Sequence, residues 1–205
     1  MKRKGLIFLI LLVSCGVILS FINKYTITEL AIGAPIPQPE YKMKDVSGKD
    51  VSLGQIKTDK GLLVIFSCNT CPYVKLSETR IKEYSDFCIS NGIGCVIVNS
   101  NEAQRSEEDS FDKMSEYYNT QKLKCPYTVD LKSDLANAFG AMRTPQCFLF
   151  NAKSLVYKGA IDDNVKDPAA VKVPYLKDAL NAIVKGTIPS TQETKSIGCT
   201  IKRLE

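Results

Sequence analysis

The sequence predicts an α/β domain: a mixed sheet of about four to five main strands with helices on both faces, behind an N-terminal membrane anchor. Three observations carry this. The short apolar runs Leu62–Phe66, Ile93–Val98 and Cys147–Phe150 have no polar alternation, as expected of strands buried on both faces. Segments with helical period lie between and after them. Ahead of everything, Gly5 to Ile22 is an uncharged stretch preceded by Lys2, Arg3 and Lys4.

As a helix that stretch is about 27 Å long, near the short limit for crossing a bilayer. Cations before it place the N-terminus in the cytoplasm and the remainder in the periplasm or another extracytoplasmic space. Leu12-Val13-Ser14-Cys15 resembles a bacterial lipobox, in which Cys15 would carry lipid. Gly16 to Ile22 stay apolar, however, which equally suits an uncleaved anchor with Cys15 as a small residue inside it. Residues 1–22 therefore read as a signal or anchor segment and 23–40 as a linker, with Pro35, Pro37 and Pro39 holding the domain off the membrane. The domain proper spans 41–186, and 187–205 reads as a polar, loosely ordered tail.

Within the domain, Tyr41 to Leu53 suggest a hairpin turning at Ser47-Gly48-Lys49. The strand Leu62–Phe66 leads into one helix, with Val74, Ile81, Tyr84 and Cys88 on its inner face and Gly92 as its stop. Ile93–Val98 completes a βαβ unit. Ser106-Glu107-Glu108-Asp109 resembles a capping box before Phe111, Met114 and Tyr118. A short strand over Pro126–Val129, a helix from Ser133 to Phe139 and the strand Cys147–Phe150 follow. Leu155–Gly159 makes a hairpin with that strand, and a last helix starts at Pro174.

The whole chain of 205 residues carries a net charge of +5, but three of those charges precede the anchor. No basic patch interleaved with aromatics stands out, which argues against nucleic acid as a partner. Histidine is absent. That excludes Cys-His and Ser-His catalysis, histidine-bearing zinc or copper sites and C-x-x-C-H haem attachment.

What remains is sulfur. Cys68-Asn69-Thr70-Cys71-Pro72 follows the first buried strand with no spacer, where a helix opens. Two thiols at this spacing can close a small-ring disulfide. A helix N-terminus stabilises a thiolate and can lower its pKa from about 8.5 to roughly 3.5–7.5. Cys68 is accordingly the expected nucleophile and Cys71, a turn deeper, the resolving thiol. A zinc knuckle would need two more soft ligands, and neither a second C-x-x-C nor histidine supplies them. No metal or cofactor is expected. Glu78 or Lys75 is a candidate base, against the plainer reading of a solvated helix face.

The order of elements and this motif resemble the thioredoxin fold over roughly Ala34 to Lys185. The similarity is to the branch of redoxins and membrane-tethered bacterial thiol reductases. Arg143-Thr144-Pro145-Gln146, leading into a buried strand, is the second marker. The resemblance implies that Pro145 is cis beside the cysteines and that the backbone of Thr144 pairs with an extended substrate segment. It further implies protein thiols or disulfides as substrates and an electron-donor protein as partner. This chain departs from the thioredoxin pattern in having Ser67 before the first cysteine and Asn69-Thr70 between the two. It also lacks an acidic residue in Leu62–Phe66. The redox potential, and hence the direction of electron flow, stays open between about −270 and −120 mV.

Of the eight cysteines, Cys88, Cys95 and Cys147 sit at apolar positions and read as core residues. Cys125, before Pro126, is open to a place near the active site. Cys199, in Gly198-Cys199-Thr200-Ile201-Lys202, resembles a terminal element of some redoxin-like proteins and is a candidate third exchange thiol or tether. Two other functions compete. A peroxiredoxin-type peroxidase would have threonine three residues before its reactive cysteine, where Ile65 precedes Cys68 and Cys68 precedes Cys71. A copper-carrying assembly factor would use C-x-x-x-C-P and a histidine, and this chain has neither.

Overall fold

Sheet formation follows from the buried runs. The computed structural model describes residues 27–204, so the anchor expected at Gly5–Ile22, and Cys15 with it, lie outside the described residues. Among the described residues no helix is long and apolar enough to cross a membrane.

The chain forms β1 (Met43–Asp45), β2 (Asp50–Val51), α1 (Leu53–Ile56), β3 (Leu62–Ser67), α2 (Pro72–Lys75), α3 (Glu78–Ser90) and β4 (Gly94–Asn99). Then come α4 (Phe111–Gln121), β5 (Tyr127–Val129), α5 (Asp134–Phe139), β6 (Arg143–Thr144), β7 (Gln146–Phe150), β8 (Leu155–Gly159), α6 (Tyr175–Val184) and β9 (Cys199–Thr200). Seven strands form one mixed sheet in the order β2-β1-β5-β4-β3-β7-β8, and β6 pairs with β9 separately. β3 is parallel to β4 and antiparallel to β7, so it is central. The expected hairpin joins this sheet by pairing Lys44 with Val129, which widens it beyond the strands legible as buried runs.

Alternate residues of β3 point into two cores. Leu63 and Ile65 face a core that includes Val74, Ile81, Cys88 and Leu180. Leu62, Val64 and Phe66 face another with Leu135, Phe139 and Phe148. Phe139 there packs edge-on against Phe66, Phe148 and Phe150, with ring centroids 5.1–5.9 Å apart. This two-sided burial is why β3 reads as unbroken apolar sequence.

Three local expectations differ. The single helix after the cysteines is broken into α2 and α3 at Leu76–Ser77, where Ser77 N–H turns back to the carbonyl of Val74 at 2.8 Å. Leu76, the one apolar residue between Val74 and Ile81, is exposed and off the inner face, so the periodicity passes over the break. Ser110, not the Ser106–Asp109 segment, caps α4, and Asp109 is fully buried. The segment read as a linker is laid on the domain from Leu30 onward: Leu30 N–H bonds Phe139 O at 3.0 Å and Gly33 N–H bonds Leu155 O at 2.8 Å. Gly140 permits this, since its φ of +65° ends α5 and a Cβ there would stand 2.2 Å from Thr28 O.

The tail also differs from expectation. Lys158 N–H bonds Gln192 O (2.9 Å), Thr194 N–H bonds Lys158 O (3.0 Å), and Ile201 N–H bonds Met142 O (3.1 Å). Ile201 is buried in the second core. Strand edges with unpaired backbone groups are completed by whatever chain reaches them, and this polar-looking segment does so here.

Candidate active site

Cys68 is the first residue after β3, and Pro72 is the first residue of α2. A proline disfavours the α conformation in the residue before it, and Cys71 stays outside the helix. It becomes the N-cap instead, with φ −60° and ψ 124°. The sequence reading placed Cys68 at the helix mouth and Cys71 a turn deeper. The structure puts Cys71 at the mouth and Cys68 behind it, at 4% and 1% exposure respectively.

The three sulfurs of Cys68, Cys71 and Cys199 form one group. Cys71 Sγ is 2.6 Å from Cys199 Sγ and 3.1 Å from Thr144 O, and Cys68 Sγ is 3.6 Å from Thr144 Oγ1. Cys68 and Cys71 act on each other, and their thiols shift in opposite directions. The Cys71 thiol is held below the usual thiol range, first by the hydrogen bond from Cys68, then by Cys199, the Val74 N–H and Thr144, all acting against burial. The Cys68 thiol is pushed up by that same bond, by burial and by the charge of Asp109. The backbone N–H at the helix start supports the charge on Cys71. Cys199, only partly covered, is pushed up by burial and by Cys71.

The dipeptide between the cysteines is anchored from below. Asn69 N–H donates to Asp109 Oδ1 (2.8 Å), Asn69 Nδ2 donates to Glu108 O (2.9 Å), and Tyr127 OH donates to Asn69 Oδ1 (2.8 Å). Asp109 also accepts from Asn99 Nδ2 (2.8 Å) and Asn101 Nδ2 (2.9 Å). Sequence reasoning missed Asp109, Asn69 and Tyr127 as site residues. The one available signal was Asn99-Ser100-Asn101 ending a buried strand, since polar side chains there need internal partners.

Thr144-Pro145 is a cis peptide and adjoins the cysteine pair, the placement the resemblance implied. The backbone edge of Thr144, expected to face a substrate, is paired with this chain's own β9, with Thr144 opposite Cys199. A cleft of about 160 Å³ opens between Cys68, Cys71, Cys199, Asn101, Gln104 and Lys202. Lys75 and Glu78, considered as bases, pair with each other at 2.9 Å. Cys88, Cys95 and Cys147 are buried core residues, as read from the sequence. Cys125 is buried as well and lies against Cys95 in the core. The segment before Pro126 is a loop, as expected, and the Cys125 side chain is buried within it. Among the described residues no cluster of three or more potential ligands is arranged to hold a metal ion.

The Redoxin family model matches residues 31–180. The chain belongs to the Redoxin family. Its fold is thioredoxin-like, as two-sided burial of the sheet and the site geometry already indicate. It is similar to a hypothetical protein from Sinorhizobium meliloti 1021 (29% identity, TM-score 0.77, covering 86% of this chain and 97% of that one). An uncharacterized conserved protein from Geobacillus kaustophilus is 27% identical, with a TM-score of 0.76 and coverage of 88% and 94%. A thioredoxin-like protein solved in its oxidized form is 20% identical, TM-score 0.60, covering 77% and 99%, and supports the fold alone. No curated protein matches the sequence.

Proposed function

We propose that this redoxin is a thiol–disulfide oxidoreductase working through the Cys68/Cys71 dithiol on exported protein substrates. The observation that carries the proposal is Cys71 Sγ at the N-cap of α2, with Cys68 behind it and Thr144-Pro145 alongside. Cys71 is the attacking thiolate in this reading and Cys68 the resolving thiol, the reverse of the order expected from sequence. Attack by Cys71 on a partner disulfide forms a mixed disulfide and expels one partner thiolate. Cys68 then attacks Cys71 Sγ, closes the Cys68–Cys71 disulfide and releases the second partner thiol. The partner gains two electrons, and the reverse sequence oxidises it. The N-terminal segment supports a place on the outer face of a membrane, with an electron-donor protein as the second partner.

A peroxidase is the rival reading, favoured by the small cleft that reaches Cys71. One experiment separates the two. In chains that keep a single thiol of the group, Cys71 alone (Cys68→Ser with Cys199→Ser) is expected to form a mixed disulfide with a protein disulfide. Cys68 alone (Cys71→Ser with Cys199→Ser) should do so more slowly, because the helix start still supports a thiolate at Cys71 when the other two sulfurs are gone. Equal rates would remove the assigned roles. Stopped-flow oxidation of Cys71 by hydrogen peroxide faster than by the protein disulfide would replace this function with the rival.

A further inference from the structure

The C-terminal strand does more than close the fold. β9 lies antiparallel on β6 with Thr144 opposite Cys199, and this register sets Cys199 Sγ 2.6 Å from Cys71 Sγ. The placement is built from several directions. A Cβ on Gly198 would stand 2.2 Å from Thr144 O, so only glycine lets the strand come this close. Arg143 Nη1 donates to Gly198 O (3.3 Å) and Thr200 Oγ1 (3.2 Å). Beyond the cysteine, Lys202 N–H donates to Asn101 Oδ1 (2.9 Å), and Ile201 is anchored in the core. Of the three sulfurs, Cys199 is the one that solvent reaches most, while Cys68 and Cys71 are buried.

We infer that Cys199 is a third exchange thiol, which takes the disulfide from the buried Cys68/Cys71 pair and presents it at the surface to a dithiol protein. The inference rests on the dithiol chemistry proposed above. Cys199, as thiolate, attacks Cys71 Sγ of the Cys68–Cys71 disulfide. The Cys71–Cys199 bond forms, the Cys68–Cys71 bond breaks, and Cys68 leaves and takes up the proton that Cys199 gave. No electrons are gained or lost in this step. A partner thiolate then attacks Cys199 Sγ, and Cys71 leaves as thiolate. The partner's second thiol closes the partner disulfide and releases Cys199. The partner has lost two electrons, and the chain holds three free thiols. Run backwards, the same steps reduce a partner disulfide. In either direction β9 acts as a built-in substrate strand on the Thr144 edge.

The test uses the full chain, reduced and then oxidised with glutathione disulfide, acid-quenched, alkylated and mapped by tryptic mass spectrometry. Cys68→Ser is expected to accumulate a Cys71–Cys199 link, and Cys71→Ser no Cys68–Cys199 link. Cys199→Ser should still form Cys68–Cys71 but oxidise a folded dithiol protein at least about tenfold more slowly, since the buried sulfurs then meet the partner directly. If Cys68→Ser ends with glutathione on Cys71 and a free Cys199, or if Cys199→Ser turns over at the wild-type rate, the third-thiol role falls. The dithiol function fails separately, by wild type forming no Cys68–Cys71 disulfide at all.

Discussion

Cys71 and Cys95 are equally covered, each 4% exposed, yet their thiols shift in opposite directions. Cys71 is held below the usual thiol range and Cys95 is driven well above it. Both have other cysteines as neighbours, but the sulfurs act in opposite senses: Cys68 and then Cys199 lower the Cys71 thiol, whereas Cys125 and Cys88 raise that of Cys95. The backbone around the two differs as well. Cys95 lies within β4, opposite Leu63, where the backbone N–H groups are engaged in the sheet. Its thiol competes for a proton with Cys125 and Cys88 in apolar surroundings, and burial disfavours charge there. Cys71 stands where a helix begins, with the Val74 N–H and Thr144 offering hydrogen bonds to a thiolate. Burial alone does not make a cysteine inert; burial without donors does.

The largest expected effect is on labelling. In the native reduced protein, Cys88, Cys95 and Cys147 react with an alkylating reagent only through opening of the fold. At a typical stability of about 5 kcal/mol that slows them some thousandfold relative to the unfolded chain. Cys71 and Cys199 should react without that opening. Mass-spectrometric mapping over time reads both sets in one sample, and equal protection of Cys71 and Cys95 would break the contrast.

A smaller effect concerns pH. A thiol of pKa about 8.5 is less than about 1% ionised at pH 6. A group whose folded pKa is lowered stays ionised as pH falls, until that folded pKa is crossed. Cys71 in the Cys199→Ser chain should therefore keep most of its neutral-pH reactivity at pH 6, while a free reference thiol loses about a hundredfold between pH 8 and pH 6. Ultraviolet thiolate absorbance over the same range gives an independent reading. A Cys71 profile that follows the reference thiol would mean that the helix cap does not hold the charge.

Much of this arrangement was legible in the residues. The two-sided burial of β3, β4 and β7 leaves continuous apolar runs, and the C-x-x-C and Thr144-Pro145 markers lie at their ends. The order of the two thiols was misplaced because the helix was expected to open at Cys68, directly after the buried strand. It opens at Pro72, with Cys71, three residues further on, as N-cap. Asp109 was hidden by its setting in Ser106-Glu107-Glu108-Asp109, which looks like a solvated helix start. Only the fold shows that Asn69, Asn99 and Asn101 converge on it. The docked tail was illegible for a similar reason. Ile197 and Ile201 are its only large apolar residues beyond Ile188 until Leu204, and edge pairing is made by backbone groups that carry no sequence signal.

The smallest expected effect is at Gly198, and it asks whether Cys199 belongs with Cys71 or merely lies near it. The Cβ of Gly198→Ala meets Thr144 O and C, backbone atoms that cannot rotate away. The strand must move outward, at an overpacking cost of about 1–3 kcal/mol. Cys199 would be carried away from Cys71, while Cys68 and Cys71, held by β3 and α2, would stay in place. Glutathione oxidation of Gly198→Ala should then lower the Cys71–Cys199 link several-fold and leave Cys68–Cys71 formation unchanged. If both disulfides decline together, the strand supports the whole site and the distinction between a buried pair and a surface shuttle is lost. If neither changes, the close approach of β9 has no part in placing the third sulfur.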